Sequence, residues 1–393
     1  MINISKLYCD KAGASDELRY PHKRTNKPIV VFNCTAKCNL RCVHCYSDSD
    51  CATRAVEMTT QQAEDFIARV AEYGCPVLLF SGGEPMLRKD LFRLMAFGRS
   101  LGLRIVLSSN GTLITADAAK RLAEVGLSYA GISLDGTKEI HDQFRGAAGC
   151  YDATMRGIEA CQNAGLKTGL RFTMTRQNVG TVGAIFNIAE QHGIRRICFY
   201  HLVRTGRAAT DDLHPATAAQ IRIALDEIIS RTAESVYKGC AEEVLTVGNH
   251  ADGPYLLGRM HRENHHGYEA AKELLARNGG NRTGQNIAAV SWEGSVHPDQ
   301  FWRNYTLGNV LEKPFGQIWD NESDPVLRIL RNKDTYCAAR CATCKWFYLC
   351  KGNFRCPSGG EGLRGQSPPY ESIDLPDWFN EPPCYLMDAE IGL

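Results

Sequence analysis

The chain has 393 residues, a formal net charge of +1 and 23% charged residues, a balance that points neither to a nucleic-acid partner nor to an anionic membrane surface. No run approaches 18 consecutive apolar residues, and the start, Met1-Ile-Asn-Ile-Ser-Lys-Leu-Tyr8, lacks a basic segment followed by an apolar one, so a soluble cytoplasmic protein with no membrane partner is expected. Its 17 cysteines make no sensible disulfide framework in a reducing compartment, and metal binding accounts for them better.

The length exceeds one ordinary domain and suggests a large α/β domain with an appended module. From residue 29 to about 237, short apolar runs alternate with helix-period segments, which predicts βα units around a parallel sheet. Strands are expected at 29–33, 76–81, 104–108, 129–135, 167–173 and 196–201. Helices are expected at 60–73, 115–125, 151–164 and 179–192, with Gly126, Gly165 and Gly193 following three of them as helix stops. Six units rather than eight imply an open, partial (β/α)6 TIM-like barrel with its chemistry at the C-terminal strand ends. On this reading residues 1–28 are an N-terminal extension and 29–237 the barrel. Residues 238–285 form a helical linker or substrate segment, and 286–393 a cysteine-rich C-terminal module. The stretch 217–279 reads as helices with a loop around 248–255, and its histidine-rich piece, 261–266, as a solvated face. Two aromatic-rich runs on either side of Glu293-Gly294 predict a hairpin.

The first strand leads directly into Cys38-Asn-Leu-Arg-Cys42-Val-His-Cys45, followed by Tyr46. A structural zinc or iron–sulfur site would supply four protein ligands, and here the local count stops at three. Cys34 lies on the preceding apolar run, where a thiol packs as a small hydrophobe. A zinc site completed by His44 is the plain alternative. A [4Fe–4S] cluster held by Cys38, Cys42 and Cys45 keeps one iron open, and an open position suits catalysis. There an amino acid's amino and carboxylate groups can chelate, bringing a sulfonium beside a low-potential electron source. The stretch closely resembles the radical S-adenosylmethionine (SAM) enzymes, and the resemblance implies that Tyr46 lies beside the adenine of SAM.

Further along, Ser81-Gly82-Gly83-Glu84-Pro85 follows the second strand, and its glycines permit close backbone approach to a ligand. It resembles the element of that family that pairs with the amino group of SAM. Ser108-Ser109-Asn110-Gly111 ends the third strand and Ser133-Leu-Asp135-Gly136 the fourth. By resemblance these meet the ribose and carboxylate, although Asn-Gly and Asp-Gly are also ordinary turn formers. Arg171 on the fifth strand is either a fixed cation at the same opening or half of an ion pair in the barrel wall.

Six cysteines gather after residue 336: Cys337, Cys341, Cys344, Cys350, Cys356 and, much later, Cys384. The pattern resembles the auxiliary iron–sulfur module found on many radical SAM enzymes. That resemblance selects Cys341, Cys344, Cys350 and Cys384 as ligands of a second [4Fe–4S] cluster and leaves Cys337 and Cys356 as extras. Zinc on four cysteines is the competing reading.

Several stretches narrow the likeness to one branch of the superfamily, the 12,18-didecarboxysiroheme deacetylases of siroheme-dependent haem synthesis. They include Phe199-Tyr-His-Leu-Val203, Gly206-Arg207, the run from Glu243 to Tyr255, His297-Pro-Asp-Gln-Phe-Trp302 and Cys384-Tyr-Leu-Met-Asp-Ala-Glu-Ile-Gly392. The neighbouring branch, of nitrite-reductase haem synthesis, shares the cluster motifs; the Asn249–Tyr255 stretch favours the first. The chain departs from the pattern by its extra Cys356 and by a longer loop between Cys350 and Cys384. The resemblance implies an iron tetrapyrrole substrate, reduced flavodoxin or ferredoxin as electron donor, and removal of two acetate arms to give iron coproporphyrin. A polycarboxylate needs cations, and Arg145, Arg204, Arg207 and Arg303 are candidates. Asp252 stands in the branch-specific stretch, and His250 or His297 could ligate the substrate iron. A radical SAM peptide maturase is the rival within the class. A two-cluster electron carrier is the rival outside it, and the missing fourth thiol of the first triad argues against that carrier.

Overall fold

The computed structural model describes residues 1–13, 15–22, 27–210, 213–337, 339–353 and 384–393. Six parallel strands form where the apolar runs were expected: β2 (Ile29–Thr35), β3 (Val77–Gly82), β4 (Arg104–Ser109), β5 (Tyr129–Ser133), β6 (Thr168–Met174) and β7 (Arg196–His201). Alternation along each strand divides the side chains between two faces. Phe32, Phe80, Leu107, Ile132, Phe172 and Phe199 are buried against the helices in one continuous core. Their neighbours of opposite parity, among them Val31, Leu79, Val106, Arg171 and Tyr200, line the inside of the curved sheet.

The four expected helices are present as Thr60–Glu72, Ala116–Glu124, Cys150–Asn163 and Val182–Gln191. Thr59 and Gln62 close a capping box on the first, and Thr115 accepts a hydrogen bond from the backbone of Ala118 at the start of the second. Gly126, Gly165 and Gly193 all take the left-handed conformation that ends a helix (φ 75°, 74° and 62°).

The sheet continues past the barrel on both sides. β1 (Ile2–Asn3), β8 (Glu243–Val247), β9 (Ile287–Val290), β10 (Ser295–His297) and β11 (Gly308–Asn309) complete an eleven-stranded open sheet in the order β1-β8-β7-β6-β5-β4-β3-β2-β9-β10-β11. The hairpin around Glu293-Gly294 is present, with Val296 opposite Val290. Two local expectations need correction. The segment 217–279 is not all helical, because Glu243–Val247 is a strand paired in parallel with β7. The loop expected at 248–255 shrinks to its first residues, since Asp252 already begins the helix Asp252–Arg262. Gly253-Pro254 looks like a loop signal, but a proline in the first helical turn gives up an N–H that has no partner there. The histidines of 261–266 are largely exposed at the end of that helix.

Short helices carry the C-terminal module, among them Phe347–Cys350 and Asp388–Ile391. Cys356 and the Gly/Pro-rich stretch around it lie outside the described residues. Among the described residues no helix is long and apolar enough to cross a membrane.

Candidate active site

The cysteine-bearing loop leaves the end of β2 and is held from three sides. Gly83 and Glu84 donate backbone hydrogen bonds to Thr35 O and Lys37 O, both at 2.8 Å. A Cβ on Gly83 would collide with Lys37 O, and one on Gly82 with Thr35 O, so the glycines admit the cysteine loop's own backbone. From the second side, Arg41 and Val43 donate backbone hydrogen bonds to Arg145 O and Phe144 O. From the third, Arg207 donates through Nε to Cys42 O (2.8 Å), through Nη2 to Ser49 O (2.7 Å) and through Nη1 to Asp48 (2.7 Å). Arg207, a candidate for gripping substrate, is therefore occupied as a clamp on this loop.

Cys38 and Cys42 are buried and Cys45 half-buried, lining a cleft of about 1080 Å³. Burial pushes the Cys38 thiol up to about 12, and burial and the neighbouring Cys45 raise Cys42 against the pull of Arg145. Each sulfur nevertheless has a polar neighbour. Leu40 N lies 3.4 Å and Asn110 Nδ2 4.0 Å from Cys38 Sγ, Arg145 Nη1 3.5 Å from Cys42 Sγ, and Ser47 Oγ 3.3 Å from Cys45 Sγ. Thiols too costly to ionise alone, yet surrounded by donors, suit a cationic cluster that deprotonates them on binding. Among the described residues no three His, Cys, Asp or Glu side chains converge as one metal ion would require. The His44 ring is directed towards Asp135, 3.5 Å away. Burial holds that ring neutral, down to about 4.

Tyr46, Gly82, Gly83, Ser108, Asn110, Ser133 and Arg171 share the cleft with the triad. Tyr46 is fixed by Asn33 Oδ1 (2.8 Å) and Ser81 Oγ (3.1 Å) and stands edge-on to Phe301. Buried polar atoms of the cleft lining, His44 Nδ1, Arg145 Nε, Arg171 Nε and Gln300 Oε1, lack a hydrogen-bond partner among the described residues, as expected of a site shaped for a polar ligand.

Two expected ligand contacts lie within the wall. Glu84 is fully buried and spends its carboxylate on Ser109 Oγ (2.8 Å), Asn110 N (2.8 Å) and Met86 N (3.1 Å). It fastens β3 to the end of β4, behind the glycines. Asp135 is also fully buried, accepting from Thr173 N at 3.0 Å and facing Arg145 Nη2 at 2.5 Å. Arg145 is therefore committed to Asp135 and Cys42 and is no free cation for substrate.

The remaining substrate candidates also resolve into structure. His297 is buried with Ser291 Oγ and Tyr305 O at 2.7 Å on its two ring nitrogens, which excludes it as an iron ligand in this state. Arg303 stacks 4.3 Å over Trp292, and Arg204 donates to Ala209 O. Asp252 is buried between His201 Nε2 (3.0 Å) and Tyr385 Oη (2.6 Å). It ties the end of β7 to the residue after Cys384. His250 lines a second cavity, below the cleft, and its Nε2 lies 3.1 Å from the Met1 nitrogen. Among the cleft residues given no role in the sequence reading are Tyr200, Gln300 and Phe301, which lie in stretches quoted only for their family likeness. Tyr200 follows from strand parity alone, whereas the other two arrive from the C-terminal region by tertiary packing.

In the C-terminal module Cys341, Cys344, Cys350 and Cys384 surround one cavity of about 430 Å³ together with Trp346, Phe347 and Leu386. Trp346 N and Gly352 N lie 3.4 and 3.2 Å from the sulfurs of Cys344 and Cys350. Burial and the three neighbouring thiols Cys384, Cys344 and Cys337 push Cys341 up to about 12. Cys337 is not part of the cavity wall; its sulfur turns to Asp334 O.

A family model described as the radical SAM superfamily matches residues 32–188, and one described as an iron–sulfur cluster-binding domain (SPASM) matches 282–345. The chain is 45% identical to the Fe-coproporphyrin III synthase of Methanosarcina barkeri (strain Fusaro / DSM 804), over 100% of this chain and 99% of that protein. It is 35% identical to the pre-heme d1 synthase of Dinoroseobacter shibae, over 96% and 92% of the two chains. Among solved structures, native anSMEcpe with bound AdoMet superposes with a TM-score of 0.65 at 21% identity, covering 84% of this chain and 90% of that one.

Proposed function

The chain belongs to the radical SAM superfamily and carries its SPASM iron–sulfur module, and from that premise we propose that it removes the two acetate arms of 12,18-didecarboxysiroheme to give iron coproporphyrin III. It is an enzyme that uses SAM and iron–sulfur clusters. The observation that carries the substrate is the 45% identity to an Fe-coproporphyrin III synthase, which spans the whole chain and so includes the segments outside the generic cluster motifs.

In this reading Cys38, Cys42 and Cys45 hold the cluster that binds SAM, and Cys341, Cys344, Cys350 and Cys384 hold the auxiliary one. Tyr46, Gly82, Gly83, Ser108, Asn110 and Ser133 meet SAM, while Glu84 and Asp135 support that surface from behind. When bound and reduced, the cofactors supply a radical strong enough to take hydrogen from an unactivated C–H bond. The protein's part is to place the substrate below the cysteine loop and to exclude water. A reduced flavodoxin or ferredoxin supplies the electron, and the cytoplasm supplies the reducing surroundings that free thiols require.

Mixed anaerobically with 12,18-didecarboxysiroheme, SAM and a reductant, the protein is expected to convert the isobacteriochlorin spectrum to that of a porphyrin. 5′-Deoxyadenosine should form in proportion to the arms lost. No change with this substrate, together with reaction of the nitrite-reductase haem precursor, would move the chain to the activity named for its 35% identical relative. For the auxiliary site, Cys341→Ala and Cys384→Ala are expected to lower iron content while SAM cleavage without substrate persists. Zinc in place of iron in a variant lacking the first triad would overturn that assignment.

A further inference from the structure

The inside of a (β/α) barrel is ordinarily filled by layers of Val, Ile and Leu side chains. Here the inward positions of β5 and β6 hold Gly131 and Gly169, directly opposite each other in register. A Cβ on Gly131 would collide with the guanidinium of Arg171, and one on Gly169 with Tyr129 Oη. The two glycines make room for polar side chains where a packed core would stand. The space they open joins a chamber of about 1650 Å³ at the N-terminal ends of the strands. It shares Val31, Leu79, Arg171, Tyr200, Gln300 and Phe301 with the cysteine-bearing cleft.

The chamber is apolar on one side, through Ile29, Val31, Val77, Leu79 and Val106, and cationic on the other. Among its described lining residues five guanidinium groups, Arg19, Arg104, Arg171, Arg196 and Arg282, meet one carboxylate, Asp299. Asp299 accepts from Thr283 Oγ1 and Phe301 N, both at 2.8 Å. Arg19 and Arg196 share Glu243, at 2.5 and 2.7 Å. Arg104 and Arg171 have no carboxylate partner among the described residues, and the one hydrogen-bond acceptor of Arg171 is Ser108 Oγ at 2.6 Å. Arg171 Nε, Arg196 Nε and Tyr129 Oη are buried without hydrogen-bond partners among the described residues. Burying cations and a hydroxyl in this way costs stability unless a ligand completes them.

We propose that this chamber is the carboxylate-recognition half of the substrate site, with Arg104, Arg171 and Tyr129 taking acid arms of an anionic tetrapyrrole. The apolar wall of Val31, Leu79 and Val106 receives the ring, whose reacting edge reaches the cysteine-bearing cleft past Tyr200 and Phe301. The assignment rests on the tetrapyrrole reading above and adds where the substrate's charges are held. None of Arg145, Arg204, Arg207 and Arg303, the cations the sequence offers as candidates, lines this chamber.

Binding of iron coproporphyrin III to the anaerobically reconstituted protein, followed by its Soret band, tests the chamber directly. Arg104→Met and Arg171→Met are each expected to weaken binding by roughly ten- to a hundred-fold, the range of a lost charged hydrogen bond. Tyr129→Phe removes a hydroxyl with no hydrogen-bond partner among the described residues, so it should leave the thermal midpoint unchanged or higher and still weaken binding several-fold. The parent should also bind the tetramethyl ester of the same porphyrin, which lacks the charges, at least tenfold more weakly than the acid. Equal binding of acid and ester, or unaltered binding by all three variants, overturns the chamber assignment and leaves the tetrapyrrole reading standing. A parent that binds no tetrapyrrole overturns both.

Discussion

Cys38→Ala, Cys42→Ala and Cys45→Ala will each abolish reductive SAM cleavage and remove about four of about eight irons from the reconstituted protein. The expectation follows from the geometry of the cleft. The three sulfurs line it, each with a donor within 4.0 Å, and glycines and hydroxyls from the ends of β3, β4 and β5 line it with them. No fourth cysteine lines the cleft among the described residues, so nothing can replace a lost ligand. Cys150 lies near but is buried with its sulfur 3.5 Å from His141 Nε2. Iron would be counted colorimetrically and 5′-deoxyadenosine measured by chromatography after dithionite reduction. SAM cleavage above the protein-free rate in the triple variant would refute the assignment. So would full iron content in any single one, since the cavity around Cys341, Cys344, Cys350 and Cys384 accounts for only one of the two clusters.

The barrel was legible because its signals are local. Six apolar runs, capped helices and three helix-ending glycines each report their own conformation, and all were found within a few residues. The cysteines were legible for the same reason, since thiols spaced three and two residues apart on one loop must face a common centre. What stayed hidden is set by contacts between distant parts of the chain. Glu243–Val247, with three apolar residues in five, is too short a signal to tell from a buried helix segment, and its pairing with β7 makes it a strand. Arg207 and Asp135 follow strand ends, where substrate contacts are expected, yet Arg207 is taken by Cys42 O, far away in sequence, and Asp135 by Arg145 at the end of the next helix. Gly131 and Gly169 carry a trace of the chamber: a glycine inside a strand marks close approach by another group. What approaches is Arg171 and Tyr129, which the strand register supplies and the linear pattern does not.

Asp135→Ala should destabilise the protein by about 3–5 kcal/mol, the cost of leaving one member of a buried ion pair without its partner. The carboxylate is wholly enclosed, with Thr173 N on one oxygen and Arg145 Nη2 at 2.5 Å from the other. Burial raises its carboxyl, but Arg145, His44 and His141 outweigh that and hold it below the usual range. A carboxylate depressed in the folded state contributes stability that is complete above its unfolded value near 4 and fades only as pH falls through its folded value. The loss in the variant will therefore be full at pH 7 and will shrink in strong acid. Arg145 also donates to Cys42 Sγ, so its release should loosen the first cluster and lower iron retention at neutral pH. Asp135→Asn separates this role from contact with SAM. The amide preserves shape and an acceptor for Thr173 N but cannot neutralise Arg145, so its stability should fall nearly as far as that of the alanine variant. If Asp135 instead met the ribose of SAM, the asparagine variant would unfold within about 1 kcal/mol of the parent and bind SAM more weakly. Chemical denaturation at pH 7 under anaerobic conditions, paired with SAM binding, distinguishes the two outcomes.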